Sequence, residues 1–130
     1  MYEAGLSITF RAWHVMPHVE GPESELHEHE YHMEVTALSR ELDAHGMVCD
    51  LDLLEAALEQ TIEPLRGKEL NEIIPLENVD AVTVEVLARW SHQDLARRLS
   101  GHGIDSLSVR VWESPHAFGG YSGPLSNATE

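Results

Sequence analysis

The sequence predicts an α+β fold, in which a four-stranded antiparallel sheet is covered on one face by two helices. Two stretches of alternating apolar residues come first, and two stretches with apolar residues spaced at three and four follow them. A third alternating stretch and a short fourth one come after the helices. Elements in this order favour an antiparallel sheet with its helices on one face. At 130 residues the chain fits one domain, expected over residues 1–123, with a flexible tail over 124–130.

Two strands are predicted before the helices, with a loop between them. The first runs from Leu6 to His14, where every second residue is apolar until the last one, a histidine. Residues 16–26 contain two prolines and a glycine without periodicity, which is typical of a loop. The second strand runs from His27 to Leu38, and His27 and His29 share one face with the apolar residues after them. Both strands therefore carry histidine at the loop end of their inward face.

The two helices are predicted from their caps and their apolar stripes. Asp50 is a favourable N-cap residue, and the stripe that follows it runs from Leu54 to Leu65. Thr83 is the N-cap of the second helix, whose stripe runs from Val84 to Leu99. Helix-ending residues mark the ends of the two stripes, namely Pro64, Gly67, Gly101 and Gly103.

The third strand is predicted over residues 105–113. Leu107, Val109 and Val111 share one of its faces, and Glu113 ends that face. A carboxylate on an otherwise apolar face is costly unless it has a partner. A further short strand is expected around Tyr121.

The composition excludes several classes of partner. Eight Lys and Arg against 23 Asp and Glu give a net charge of −15, which opposes binding to nucleic acid or to an anionic membrane. No apolar run approaches the roughly 20 residues that cross a bilayer, and the N-terminus lacks the pattern of a signal peptide. The single cysteine, Cys49, cannot form an internal disulfide. We therefore expect a cytoplasmic protein that binds neither nucleic acid nor membrane.

The histidines predict a metal site. Most of the nine histidines lie between His14 and His45. Residues two positions apart on a strand lie on the same face, so His27 and His29 share a face. A hairpin across the loop brings His14 to the same end. Three imidazoles with an open fourth position are the ligand set of a catalytic zinc ion. The alternative is that each histidine is an ordinary hydrogen-bonded residue.

The remaining histidines are expected to be mostly solvated. His32 points to the opposite face from His29, and the others stand in loop or surface contexts. Those others are His18, His45, His92, His102 and His116. His116 is a partial exception because it closely follows Glu113.

The sequence resembles a known family, the 6-pyruvoyltetrahydropterin synthases together with their queuosine-pathway homologue, 6-carboxytetrahydropterin synthase. The resemblance runs from about Leu6 to Tyr121 and is specific because several motifs occur in the right order and spacing. They are FRAWH (10–14), LHEHEYH (26–32), HGMVCDL (45–51), ELN (69–71), TVEVLA (83–88) and VRVWE (109–113).

The resemblance implies a set of site residues and an assembly. His14, His27 and His29 match the zinc ligands of the family, Glu113 matches the carboxylate that anchors a pterin ring, and Thr83 matches a residue at the same ring-binding end. The family has the tunnelling fold, in which subunit sheets join into an oligomeric barrel. A homo-oligomer, trimer or hexamer, with active sites at subunit contacts is therefore expected. For Glu113 the alternative is a structural ion pair with an arginine such as Arg110.

The sequence departs from the family at the positions that move protons. Glu23 stands where the family has a catalytic cysteine, and Cys49 cannot replace it by position. Arg66 and Gly67 stand where the family has an Asp-His pair. Glu28 replaces the glycine of the His-Gly-His motif, at an outward-facing position that tolerates a side chain.

These departures predict a divergent zinc-dependent lyase or cyclase with Glu23 as its provisional base. A glutamate at this position resembles family variants that cleave the dihydroneopterin side chain by a retro-aldol route. Glu23 is equally well explained as one of the acidic residues of its loop. The substrate is a pterin held by Glu113 or another small hydroxy or keto compound. The competing hypothesis is a homologue without activity that binds a pterin or stabilises an assembly.

Overall fold

The computed structural model describes residues 1–125 and contains four strands and two longer helices. The N-terminal strands are β1 (Tyr2–His14) and β2 (His27–Ser39), and the helices are α1 (Leu51–Ile62) and α2 (Val84–Leu99). The C-terminal strands are β3 (Ser106–Trp112) and β4 (Phe118–Pro124). Short 3-10 turns cover Pro22–Ser24, Glu63–Leu65 and Leu70–Glu72.

All neighbouring strands pair antiparallel, in the order β1-β2-β3-β4. β1 and β2 pair along their whole length, from Tyr2 opposite Ser39 to His14 opposite His27. The predicted α+β class, with a four-stranded antiparallel sheet and two helices, is confirmed. The full-length pairing places the histidines of both strands at one end of the sheet.

The core lies between the sheet and the two helices. Inward-facing strand residues meet the stripes of α1 and α2, and most of these side chains are fully buried. The largest of them are Tyr31, Met33, Leu54, Leu58, Ile62, Leu87, Leu95, Leu99 and Leu107. Apolar burial of this kind is the main driving force of folding, and it fixes which face of the sheet carries the histidines.

The predicted helix caps are present. The Asp50 side chain accepts a hydrogen bond from the Asp52 N–H at 2.9 Å, and the Thr83 hydroxyl accepts one from the Val86 N–H at 3.1 Å. Each cap satisfies an N–H group that has no partner within its helix. No helix among residues 1–125 is long and apolar enough to cross a membrane.

Several predicted boundaries shift in the structure. β1 begins at Tyr2, four residues before the predicted start, and Glu113 lies one residue beyond β3. The expected tail over 124–130 begins inside β4, because Pro124 pairs with Ser106 and Leu125 is only 5% exposed. The rest of that segment, residues 126–130, lies outside the described residues.

His92 is buried, although the sequence predicted it in a surface context. It is 5% exposed, and its Nε2 lies 3.1 Å from the carbonyl oxygen of Gly123. The physical reason is the close approach of α2 to β4. A Cβ atom on Gly119 would lie 2.6 Å from the Val84 side chain, so this glycine allows the close packing that encloses His92.

The segment after α1 lies along the free edge of β1 near its C-terminal end. The Gly67 N–H donates to the Arg11 carbonyl at 2.7 Å, and the Trp13 N–H donates to the Lys68 carbonyl at 2.8 Å. Gly67 has a φ of 70°, a conformation that favours glycine. One residue past β1, the Val15 N–H donates to the Asn71 side-chain oxygen at 3.1 Å. The segment therefore anchors the chain on both sides of His14.

A polar network connects the two helices through Asp94, which is 7% exposed. Its carboxylate accepts a 2.8 Å hydrogen bond from the Thr61 hydroxyl of α1 and pairs with Arg97 and Arg98. Burial by itself raises the pKa of Asp94, but the bonds from Arg98 and Thr61 and the two positive charges outweigh it and lower the pKa.

We expect Asp94→Asn to destabilise the protein by about 2 kcal/mol at pH 7, because it removes the charge that holds two arginines and weakens the buried bond to Thr61. The pKa of Asp94 lies below its ordinary value of 3.8 in the folded protein. Its contribution is therefore complete above that value and is lost as the pH falls through the folded-state pKa. Urea unfolding at several pH values measures this difference.

The control for this experiment is Glu55→Ala, which changes an exposed residue of α1. It should shift the free energy of unfolding by less than about 0.5 kcal/mol. If the difference in the free energy of unfolding between Asp94→Asn and the wild-type protein stays constant as the pH is lowered, the role of the ionised carboxylate is contradicted.

Candidate metal centre

Three histidines converge at the loop end of the β1–β2 hairpin. His14 lies opposite His27, and His29 lies opposite Ala12, so all three side chains point to the helix side of the sheet. One ligand nitrogen from each ring lies within 4.8 Å of the others. His14 is buried, and the other two are partly exposed. The three histidines predicted from the sequence are thus brought together.

Backbone carbonyls orient two of the rings. His14 Nδ1 donates to the Val82 carbonyl at 2.9 Å, and His27 Nδ1 donates to the Glu25 carbonyl at 2.8 Å. A carbonyl oxygen only accepts, so in both neutral rings the proton is on Nδ1 and Nε2 carries a lone pair. Fixing the outer nitrogen in this way is typical of histidines that bind a metal.

The Nε2 atom of His14 has no hydrogen-bond partner among residues 1–125 although it is buried. The Nε2 atoms of His27 and His29 lie 3.1 Å apart, close to the roughly 3.3 Å that two nitrogens of a tetrahedral zinc site have. Burial, followed by the charges of His27 and His29, lowers the pKa of His14 and outweighs its hydrogen bond to Val82. The lowered pKa favours the neutral ring, which is the form that binds a metal. The alternative of three ordinarily hydrogen-bonded histidines leaves this nitrogen unexplained.

Tyr31 and Glu113 lie beside the three histidines. Tyr31 is buried next to the His14 and His29 rings, and burial, with the charge of Glu113, raises the pKa of its hydroxyl. The carboxylate of Glu113 lies 3.7 Å from His29 Nε2. Among residues 1–125 no arginine pairs with Glu113, and Arg110 lies over the Phe118 ring instead. The structural ion pair with an arginine, which was the alternative for Glu113, is therefore not formed within residues 1–125.

A cleft of about 500 Å³ opens beside Glu113. Its lining residues are Glu30, His32, Trp112, Glu113, Ser114 and Pro115. Thr83 stands at the start of α2, where its hydroxyl oxygen accepts the capping bond from Val86. Its O–H remains able to donate to another group.

Glu23 belongs to the loop between the two strands that carry the histidines. The Met16 N–H donates to the Glu23 carbonyl at 2.9 Å. Met16 follows His14 by two residues, so this bond holds the Glu23 backbone next to the chain just past the end of β1. Its side chain is exposed, and no hydrogen bond or ion pair holds its carboxylate among residues 1–125. The loop thus ties the Glu23 backbone to Met16 without orienting the carboxylate.

Arg66 and Cys49 lie in structural surroundings. The Arg66 guanidinium pairs with Glu59 and Glu63 and donates to the Thr9 carbonyl at 3.4 Å. Cys49 is buried, and burial, with the charges of Asp50 and Asp43, raises the pKa of its thiol. A thiol of this kind is a poor base.

His116 does not join the cluster. It is exposed, and its N–H donates to the Ser114 hydroxyl at 3.4 Å. His18 is half-exposed, but it lies 3.2 Å from Asp80, a contact that the sequence did not predict.

Two further groups that position the site were also missed from the sequence. Val82 acts through its carbonyl, and Asn71 acts through a bond to the backbone of Val15. A backbone carbonyl leaves no signature in residue types. For Asn71 the only signal was its place in the ELN motif.

The fold and the site together define a small α+β protein with three histidines that can hold a metal ion at one end of its sheet. The family model of 6-pyruvoyl tetrahydropterin synthase matches residues 5–124. The chain belongs to this family. None of the curated protein sequences matches it significantly.

Solved structures of the same family share the fold. The 6-pyruvoyl tetrahydropterin synthase of Caenorhabditis elegans is 19% identical, with a TM-score of 0.75, over 94% of this chain and 95% of that one. The synthase of Plasmodium vivax, solved as a variant in which a catalytic glutamate is replaced by cysteine, is 13% identical. It has a TM-score of 0.73 and is matched over 96% of this chain and 100% of that one. At these identities the likeness shows the fold.

Proposed function

We propose that this protein is a divergent zinc-dependent lyase or cyclase that acts on the side chain of a reduced pterin, or on a related small hydroxy or keto compound, in a cytoplasmic biosynthetic pathway. Membership of the family supports a pterin-related lyase. The observation that carries the zinc is the buried Nε2 of His14, which has no partner within residues 1–125 and points at two further imidazoles.

Zinc would be held by His14, His27 and His29. When bound, the ion polarises a carbonyl or hydroxyl oxygen of the substrate. The protein contributes the orientation of the rings, through the carbonyls of Val82 and Glu25. The buried side of His14 excludes water from one side of the cluster, and the loop side stays open to a substrate.

Glu113 is the proposed anchor for the pterin ring. Its carboxylate has no arginine partner within residues 1–125, so its oxygens can accept from two adjacent N–H groups of a ligand. Thr83, whose O–H can still donate, is the proposed second contact at the ring-binding end.

Glu23 is the proposed base. The bond from the Met16 N–H to the Glu23 carbonyl ties the Glu23 backbone to a residue two positions after His14, which supports this assignment. The Plasmodium vivax synthase has a catalytic glutamate, which shows that this fold can use a carboxylate in catalysis. A carboxylate that takes a hydroxyl proton favours cleavage of the adjacent C–C bond in a retro-aldol step.

A homo-oligomer, a trimer or a hexamer in which the sheets join into a barrel, is proposed as the working assembly. Arg66, Gly67 and Lys68 cover the edge of β1 from Thr9 onward, which leaves the edge from Tyr2 to Ile8 open among residues 1–125. β4 forms the other edge and carries the exposed side chains of Phe118 and Tyr121. Two unpaired edges are a liability in a monomer and are removed by pairing between copies.

The second candidate is a homologue without activity that binds a pterin and keeps zinc for structure. The observation that favours it is the ion pairing of Arg66 with Glu59 and Glu63, which gives a purely structural role to a position where the family moves protons. Pterin binding that depends on Glu113 but is not followed by turnover would support this candidate.

The first prediction of the proposal concerns the metal. We expect about one zinc ion per chain in the purified protein, and at least about a hundredfold weaker zinc binding in His27→Gln, because a direct ligand is lost. Metal analysis and competition with a chelator measure both quantities. The matched control is His102→Gln, an exposed histidine away from the cluster, which should bind zinc as the wild-type protein does.

The second prediction concerns turnover. The zinc-loaded protein should convert dihydroneopterin or its triphosphate, followed by mass spectrometry, and Glu23→Gln should lower kcat by at least about a hundredfold because the general base is lost. Zinc content should be unchanged in this variant. Glu25→Gln, in the same loop, is the control and should leave kcat near the wild-type value. Equal rates for Glu23→Gln and wild type would remove Glu23 from its role.

The third prediction concerns the assembly. Light scattering of the purified protein should give a mass of three or six chains. Replacing Ser7, which faces away from the core on the open part of the β1 edge, with proline should lower this mass, because proline cannot donate to a paired strand. A monomeric wild-type protein with full activity would contradict an active site at subunit contacts.

A further inference from the structure

His18 lies in a turn at the start of the loop that joins β1 and β2. Pro17 and His18 form the centre of a turn that the Val19 N–H closes by donating to the Met16 carbonyl at 3.2 Å. Proline presets the backbone for such a turn. The Met16 bond to Glu23 closes the whole loop beside His14. His18 and Glu23 thus stand on the same short, hydrogen-bonded loop.

Asp80 lies in the segment before α2 that contacts His14. It directly precedes Ala81 and Val82, which are both buried, and the Val82 carbonyl accepts the hydrogen bond from His14. His18 Nδ1 lies 3.2 Å from an Asp80 oxygen. Two contacts therefore connect residues 14–18 with residues 80–82. The contact through His14 is buried, and the contact through His18 is exposed.

The geometry of this pair leaves one nitrogen of His18 free. An ionised carboxylate only accepts, so Nδ1 carries the proton that faces Asp80. His18 Nε2 forms no hydrogen bond among residues 1–125, and Asp80 is the one carboxylate within 4.0 Å of the ring in that range. An imidazole oriented by a carboxylate, with its second nitrogen free, is the arrangement of a general acid or base.

We propose that His18, oriented by Asp80, is the second proton-transfer group of the site and acts as the general acid that complements Glu23. This inference rests on the proposed function, because lyase chemistry on a pterin side chain needs a proton removed at one atom and delivered at another. It assigns a catalytic role to a half-exposed histidine in a loop and a positioning role to Asp80.

The proposed step is a retro-aldol cleavage. Glu23 takes the proton of a side-chain hydroxyl, the oxygen forms a carbonyl, and the adjacent C–C bond breaks. The electron pair of that bond goes to the carbon next to the ring, which takes a proton from the His18 imidazolium. Glu23 is then a carboxylic acid and His18 is neutral, and proton exchange with solvent restores both groups.

An ordinary surface ion pair is the competing explanation. The side chains of His18 and Asp80 are 46% and 65% exposed, and an exposed pair adds little to stability. Such a pair would not affect the pH dependence of turnover. The two explanations therefore differ in a readout that a purely structural contact does not change.

The test compares wild type, His18→Gln and the matched control His102→Gln, each loaded with zinc and given dihydroneopterin or its triphosphate. His18→Gln should lower kcat by at least about a hundredfold, with unchanged zinc content and KM. The dependence of kcat on pH should differ between wild type and His18→Gln, because the glutamine amide cannot exchange a proton. His102→Gln should match wild type.

Imidazole ¹⁵N spectra test the geometry without turnover. The neutral His18 ring should carry its proton on Nδ1 in the wild-type protein and on Nε2 in Asp80→Ala. Wild-type turnover that His18→Gln leaves unchanged would overturn the role of His18 while the proposed function stands. No turnover by the wild-type protein would overturn the proposed function and this role with it.

Discussion

The pairing of β1 with β2 is the constraint on which the site depends. The two strands are paired over 13 residues each, and this register sets His14 directly opposite His27. A shift of one residue would turn every side chain of a strand to the other face. It would expose the apolar residues and separate the histidines at once. The burial of the core therefore also protects the geometry of the cluster.

Contacts from other parts of the chain then complete the site. The segment before α2 supplies the carbonyl of Val82 to His14, and the segment after α1 holds the chain on both sides of the same residue through Gly67, Lys68 and Asn71. Each contact satisfies a backbone or ring group that burial would otherwise leave without a partner. His14 is consequently the most buried member of the cluster, and His27 and His29 on the loop side are partly exposed.

The outline of the fold and the three histidines could be predicted because they rest on local patterns. Alternation placed the histidines on one face, and the caps Asp50 and Thr83 marked the starts of both helices. The boundaries of β1 and the burial of His92 could not be predicted in this way. They depend on pairing with β2 and on the close approach of α2 to β4 at Gly119, which no local pattern shows.

The sequence by itself determined which residues are the candidates for the chemistry: three histidines at strand ends, Glu23 in the loop between them, and Glu113 at the end of an apolar strand face. Only the tertiary structure decided which of these groups meet. It brought His14, His27 and His29 together, left Glu113 without an arginine partner within residues 1–125, and joined His18 to Asp80. The physical reason is that strand periodicity is local, whereas these contacts join segments that are distant in sequence and meet only when the core is buried.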